Sequence, residues 1–299
     1  MTNLKAARLQ GRAVVEIAGA EAADFLQGLV TSDVESLEAG SARNAALLTP
    51  QGKILFEFIV LAAGEGRFLL DCPRETAAEL AKRLTFYRLR AKIDINERSD
   101  DAVIAIWGGG DTAPVASAFA DPRLAGLGWR AIVPGSEVEA MFAAYEPVDA
   151  AVYQAHRIAL GVAELGSDYD SGAVFPHEAD LDQLGGVDFS KGCYVGQEVV
   201  SRMQHRGTAR SRFVPVAIEG AVPPVGTGIE AGGKAVGTMG SGEGARGLAL
   251  LRLDRVGTAM NAGNAITAGD ATLTPKKPGW AKFEWPLDAQ SGDVPENTE

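Results

Sequence analysis

The sequence predicts an α+β protein that ends in a small antiparallel β-barrel, and three observations carry that prediction. Up to about residue 160, short apolar runs alternate with stretches whose apolar residues recur at helical spacing. After Gly207 the helical spacing stops, and short apolar segments alternate with Gly/Pro turns. A chain of 299 residues, 46% hydrophobic, is long enough for two or three domains with buried cores.

Taken in order, Val14–Ile17 reads as a short strand and Glu21–Leu29 as an amphipathic helix with Ala22, Phe25, Leu26 and Leu29 on one side. Ala45–Leu55 reads as two strands joined by a turn at Pro50-Gln51-Gly52. Phe68–Asp71 is a strand, and Arg74–Arg90 a helix that turns Ala77, Leu80, Ala81, Leu84 and Leu89 inward. Lys92–Asn96 and Val103–Trp107 complete a second α+β unit. Asp111–Ala120 is expected to be helical, Gly126–Val133 a strand pair and Pro147–Leu160 a helix. Gly108-Gly109-Gly110 lacks the spacing of a phosphate loop and reads as a turn. Three apolar segments, Phe213–Ile218, Ala235–Met239 and Gly247–Leu253, supply barrel strands. The tail from Leu287 carries four acids, no basic residue and few apolar ones, the composition of a disordered segment.

Two cysteines, Cys72 and Cys193, make no disulfide framework, and no metal-ligand spacing is present. A reducing cytoplasm is the expected compartment. No apolar run approaches the roughly 18 residues of a membrane span, and the first residues show no export signal. The net charge of −11 speaks against direct nucleic-acid binding by the whole chain.

One stretch organises the rest: Lys191-Gly192-Cys193-Tyr194-Val195-Gly196-Gln197-Glu198, followed by a run to Gly207. Its glycines imply a sharp turn, after which Glu198, Arg202 and Arg206 recur every four residues, as on one helical face. Cys193 is thereby placed ahead of a short helix, where the helix N-terminus and Lys191 would favour its thiolate. Five cations, Lys191, Arg202, Arg206, Arg210 and Arg212, follow six acids between Asp168 and Asp188. Such a cationic segment suits an anionic ligand, and equally a solvated helix face laced by a Glu198–Arg202 pair. A lone cysteine, for its part, is more often a buried structural thiol.

Lys191–Glu198 resembles the K-G-C-Y-x-G-Q-E signature of the YgfZ family, a branch of the aminomethyltransferase (glycine-cleavage T-protein) superfamily. Phe25–Val34, the Leu48–Ile54 stretch (L-x-P-Q-G-K/R-I), Tyr153–Gly161 and Phe175–Asp182 resemble further landmarks of that family, in its order, so that the resemblance spans residues 6 to 285. It implies three domains in a ring around a central folate channel, with the first domain discontinuous. The expected boundaries are 1–46 with 145–206, then 47–144, then a barrel over 207–285 and a tail over 286–299. It also implies tetrahydrofolate, or a one-carbon-substituted form, as cofactor. Glu178 matches the glutamate that hydrogen-bonds the pterin, with Gln51, Tyr194, Gln197 and Arg202 as further folate-binding residues and Asp180 standing where many members have Asn. Cys193, with Lys191 beside it, is the functional thiol.

Where folate-using transferases resemble one another in a G-G-x-x-D-D stretch, this chain places Phe56 and Glu57 at the two aspartates. That exchange disfavours the same chemistry, because acid–base roles depend on close placement. The expected function is therefore that of a folate-binding accessory factor for iron–sulfur cluster assembly or repair. Its expected partners are iron–sulfur client or assembly proteins, its effects reach tRNA-modifying enzymes, and no membrane is involved. A one-carbon transferase is the alternative, and a tRNA-binding module resting on the Arg202–Arg212 segment is the third reading. Two thiols, against the usual four, are too few to hold a cluster alone.

Overall fold

In the computed structural model, which describes residues 4–109, 113–207 and 209–285, the chain forms two five-stranded sheets and a closed six-stranded barrel. The first elements are β1 (Lys5–Arg8), β2 (Arg12–Ala18), α1 (Ala22–Gln27), β3 (Ala42–Leu48), β4 (Ile54–Gly64), β5 (Arg67–Pro73) and α2 (Arg74–Arg88). Next come β6 (Asp94–Glu97), β7 (Asp101–Trp107), β8 (Ala118–Ala120), β9 (Trp129–Pro134), α3 (Val138–Phe142), β10 (Glu146–Pro147) and α4 (Ala150–Leu160). The third part holds α5 (Gln197–Arg206), β11 (Ser211–Glu219), β12 (Gly228–Ala231), β13 (Lys234–Glu243) and β14 (Arg246–Arg252). It closes with α6 (Leu253–Asn261), β15 (Ile266–Ala268) and β16 (Ala271–Pro275).

The first sheet runs β3-β4-β5-β2-β6, antiparallel throughout. Alternation along its strands sorts the residues between two faces. Val15, Ile17, Leu47, Phe56, Phe58, Val60 and Leu70 pack against Leu26 of α1 and Ala77, Leu80 and Leu84 of α2. Each of those leucines, fully buried, contributes about 1.5–3 kcal/mol. Glu57 and Asp71 fall on the opposite face. The second sheet runs β10-β1-β7-β9-β8, and its central strand β7 is buried along its whole length, as a strand covered on both faces must be. Asp149 caps α4 by accepting from the amide of Ala151, and Gly161 ends it in the left-handed region, so the helix starts three residues later than the sequence predicts. The barrel order is β11-β14-β13-β12-β15-β16, closed by pairing of β11 with β16.

The fold class is as the sequence predicts, and three local expectations are corrected. Residues 113–117 form turns rather than a helix, and 118–120 are the edge strand β8, held by pairing with β9 and by the buried Phe119. Residues 125–127 are a short 3-10 turn, so the strand pair expected over Gly126–Val133 is instead β8 with β9. Leu253 opens α6, an unexpected helix whose Leu253, Val256 and Ala259 pack into the barrel core. The expected boundary between residues 46 and 47 falls inside β3, which pairs with β4 in one sheet, and β1 joins the second sheet. Gly110, Asp111 and the tail from residue 286 lie outside the described residues.

Candidate functional site

Two glycines bring the principal motifs together. Gly52, with φ +82°, lets the Pro50-Gln51-Gly52 turn lie on the start of α5, where a Cβ would come within 2.9 Å of Val199. Gly196, with φ +80°, answers it, since a Cβ there would stand 2.6 Å from the Thr49 carbonyl. The hairpin turn and the Lys191–Glu198 stretch are therefore neighbours because neither glycine can carry a side chain.

The loop before α5 is fastened from beneath. Asp188 Oδ1 accepts from the Ser190 amide at 2.7 Å, from Ser190 Oγ at 2.6 Å and from the Lys191 amide at 3.1 Å. Lys191 Nζ donates to the carbonyls of Val30 and Ser32, each at 2.7 Å, and lies 5.5 Å from the centre of the Tyr194 ring. Thr31, between those carbonyls, donates from Oγ1 to the Gly186 carbonyl at 2.5 Å and accepts from the Ala46 amide. Tyr194 is buried in the core shared with Ala46, Leu48 and Val200. Cys193 is left exposed on the outside of this braced loop, one turn ahead of α5. Cys72 is buried, and its burial pushes the thiol up to about 12. Cys193 is thus the accessible thiol of the two.

Lys191 differs in role from the expectation. Its ammonium engages backbone carbonyls that anchor the loop, and burial pulls it down to about 8 against the opposing pull of Asp33 and Asp188. The expected cationic patch is also smaller. Arg212 is buried, its guanidinium bound to Asp180 and to both oxygens of Asp182, and Arg202 pairs with Glu198 on the surface. Of the acids that precede it, Asp168, Asp180 and Asp182 are likewise consumed inside the protein. Asp180 has φ +57°, a left-handed backbone state that Asp and Asn enter more readily than other side-chain-bearing residues.

Glu178 is half-buried. Its Oε2 accepts from the Phe175 amide at 2.9 Å, and burial raises its carboxyl, with Lys53 opposing. Lys53 lies 5.6 Å from the centre of the Phe175 ring. Gln51 is exposed at its turn, and Gln197 Nε2 reaches the Gly192 carbonyl at 3.5 Å. Glu178, Gln51, Gln197 and Cys193 line none of the three described cavities, of about 1020, 800 and 260 Å³. The cavity of about 1020 Å³ lies between α5, the barrel and residues 277–285. Among the described residues no group of three or more His, Cys, Asp and Glu is arranged to hold a metal ion, and no helix is long and apolar enough to cross a membrane.

Sequence reasoning missed the largest polar feature. Where the two sheets, α4 and the barrel meet, four arginines and four acids form one buried chain of ion pairs: Arg12, Arg123, Arg130 and Arg157 with Asp71, Asp121, Glu164 and Asp168. Arg130 reaches Asp71 and Asp121, and Arg123 reaches Asp121 and Glu164. Asp168 links Arg157 to Ser241 of the barrel. Burial alone would raise the Asp121 and Glu164 carboxyls. The surrounding guanidinium groups overcome that and hold both below the usual range. Glu57 stands beside this chain, where burial raises its carboxyl although Oε2 accepts from Tyr169 Oη at 2.5 Å and from the Leu165 amide at 3.1 Å. One signal was present in the sequence: Arg157 follows Tyr153 by four residues, on the buried side of α4.

Comparison with known proteins gives matches over most of the chain. Residues 10–130 match the GCVT N-terminal domain family, and residues 210–283 match the family described as CAF17, C-terminal beta-barrel domain. The iron-sulfur cluster assembly factor IBA57 homolog, mitochondrial, of Mycosarcoma maydis is 32% identical, the alignment covering 84% of this chain and 74% of that protein. Iron-sulfur cluster assembly factor IBA57, mitochondrial, of Homo sapiens is 30% identical over 93% of this chain and 85% of its own. The glycine cleavage system aminomethyltransferase T of Bartonella henselae superposes with a TM-score of 0.74 at 15% identity, over 95% of this chain and 88% of that one, a likeness of fold. The resemblance to the YgfZ branch thus holds at the level of the superfamily, with IBA57 proteins as the relatives found. The expected cytoplasmic location is overturned by these names, since the relatives are mitochondrial proteins.

Proposed function

The chain belongs to the family of the iron–sulfur cluster assembly factor IBA57, and from that premise we propose that it takes part in iron–sulfur cluster assembly through Cys193. The observation that carries this reading is the exposure of Cys193 on a loop tied down by Lys191 and Asp188, while the other thiol is buried. A single cysteine supplies one ligand, so the cluster is shared: a partner's thiolates hold the remaining iron sites. Exchange needs no redox change. The Cys193 sulfur forms a bond to iron as one partner sulfur leaves, and the Cys193 proton passes to the departing thiolate. Lys191 acts by holding the loop, and client enzymes, tRNA-modifying ones among them, receive the cluster downstream.

Reduced folate is proposed as a ligand of the face beside Glu178. The fit is that of an open face. Glu178 offers a carboxylate with one oxygen already given to Phe175, and the Phe175 ring and Lys53 stand next to it. A pterin edge presents adjacent N–H donors that such a carboxylate accepts. At the junction of the sheets and barrel the fit fails, because ion pairs fill the space and the cavity at their edge is about 260 Å³, below the range of ordinary ligand clefts. Aminomethyl transfer is not part of the proposal: Glu57 is engaged by Tyr169 and Leu165 inside the protein, out of reach of a substrate.

Cys193→Ser is expected to fold with unchanged melting and yet fail to sustain iron–sulfur enzyme activity in cells lacking the parent protein. Full rescue by the serine variant, under oxidative stress as well as normal growth, would remove Cys193 from the mechanism. For folate, calorimetry with tetrahydrofolate should give an affinity near micromolar, about 8 kcal/mol. Glu178→Ala should weaken it roughly ten-fold. Equal affinities would displace the ligand from Glu178.

A further inference from the structure

The end of α2 presents a surface that neither the Cys193 loop nor the ion-pair chain uses. Between residues 82 and 92 stand five cations, Lys82, Arg83, Arg88, Arg90 and Lys92, and no acid, in a chain whose net charge is −11. Among them two large apolar side chains face solvent: Phe86 is 74% exposed and Leu89 is 89% exposed, the highest of the large hydrophobic residues described.

The backbone makes this display costly. Leu89 closes α2 with φ +46° and ψ −100°, and it is one of three non-glycine residues with positive φ among those described. A leucine in that region is strained, and no burial of its side chain offsets the strain. The segment is otherwise well held. Tyr87, Ala91 and Ile93 pack into the core beneath, the Ala91 amide donates to the Arg88 carbonyl at 2.8 Å, and the Lys92 amide donates to Glu21 at 3.2 Å. Phe86 and Leu89 are therefore held out from a fixed base. Backbone strain that persists beside exposed apolar groups is commonly kept for function.

We propose that this end of α2 docks a partner protein whose matching face is an apolar cleft rimmed by carboxylates. Phe86 and Leu89 fill the cleft, and Lys82, Arg90 and Lys92 meet the rim. The footprint is small beside a standard interface, so the encounter is brief and steered by charge. An extended anionic surface fits less well. Glu75 and Glu79 are exposed on the same outer stripe of α2, and Glu79 lies only about 4.5 Å along the axis from Lys82. A lipid bilayer or a nucleic acid would press charge against those acids within a Debye length, whereas a partner of limited extent places its acids on the cations alone. The proposal does not rest on the cluster chemistry assigned to Cys193.

The test places p-benzoylphenylalanine at position 86 of the full chain and irradiates living cells. The expected result is a protein adduct whose cross-linked segment carries Asp or Glu around apolar residues. Its yield should fall roughly ten-fold with Lys82→Glu and Arg90→Glu together, and fall also with Leu89→Gly. The glycine variant should melt at or above the parent, because it relieves the positive φ, so it keeps the test valid should the charge reversal impair folding. Cys193→Ser should leave the adduct unchanged, which separates this surface from the cluster site. Several outcomes overturn the proposal: no adduct, an adduct indifferent to these substitutions, or an adduct with a second copy of this chain. Binding to vesicles of equal parts phosphatidylglycerol and phosphatidylcholine, or to tRNA, that the same charge reversal abolishes would overturn it as well.

Discussion

Arg157 Nη1 meets Asp168 Oδ2 at 2.6 Å inside the protein, and the other oxygen of Asp168 accepts from the amide and hydroxyl of Ser241 on β13. With the direct bond from Arg157 Nη2 to Ser241 Oγ at 3.1 Å, this pair ties α4 to the barrel. Arg157 also donates to the Val162 carbonyl at 2.6 Å and to Gln154, so its guanidinium serves several acceptors in fixed directions. Arg157→Ala would leave Asp168 buried without its cation, while Glu164 keeps Arg123, at an expected cost of about 3–5 kcal/mol. Arg157→Lys should recover little, since an ammonium cannot span the same acceptors. Arg157→Met combined with Asp168→Leu should cost less than the two single changes summed, because neither charge is then stranded. Urea unfolding measures all of these. A single alanine variant within about 1 kcal/mol of the parent, the range of an exposed pair, would show that the network is not load-sharing.

Arg212 offers a sharper comparison, because two acids compete for it. Asp182 meets it with both oxygens, at 2.7 and 3.0 Å, whereas Asp180 contributes one oxygen at 2.9 Å and leaves Oδ2 buried without a partner. Burial raises the Asp180 carboxyl well above its ordinary value, with Arg212 opposing. The folded chain therefore binds a proton at Asp180 that the unfolded chain has released, and this group's effect on stability falls as pH rises above 3.8 toward the folded value. Asp180→Asn should match or exceed the parent in melting temperature at neutral pH, since Asn is uncharged and accepts a positive φ. Asp182→Asn should melt lower. A larger loss at Asp180 than at Asp182 would reverse the assignment of the counter-ion.

What the sequence made legible was local. Gly192, Gly196 and the four-residue spacing of Glu198 and Arg202 lie within one short stretch, and they sufficed to place Cys193 ahead of α5. The barrel was legible for a related reason, since Gly/Pro turns punctuate its strands and half of its pairings, β12–β13, β13–β14 and β15–β16, join strands next to each other in the chain. The ion-pair chain was not. Asp71 sits in a run that reads simply as a strand, and its partners Arg12 and Arg130 are each 59 residues away. No spacing rule connects them. The strand β8 was hidden similarly, because pairing with β9 rather than any pattern within Asp111–Ala120 creates it. The charge run up to Arg212 misled, since a buried arginine and an exposed one read alike until their acids are placed in space.

The Cys193 loop carries two reactive groups, a thiol and an ammonium, and each has its own readout. Iodoacetamide at pH 8 should alkylate Cys193 in the folded protein. Cys72, buried and with its thiol pushed up to about 12, should react only after unfolding. Lys191 supplies a second readout, because burial lowers its ammonium from 10.5 to about 8. Between those values the unfolded chain binds the proton that the folded chain has lost, so this group's contribution to stability rises with pH over that window and is constant below it. Competitive acylation with acetic anhydride should show Lys191 gaining reactivity with a midpoint near pH 8, apart from the exposed lysines. Lys191→Ala should remove that midpoint and release the Val30 and Ser32 carbonyls, so the loop loosens and hydrogen exchange over residues 189–195 quickens. The cluster-related defect in cells should be milder than that of Cys193→Ser, because the sulfur is still present. If Lys191→Ala leaves exchange in the loop unchanged, its two carbonyl contacts do not hold Cys193 in place, and the anchoring role given to Lys191 is wrong.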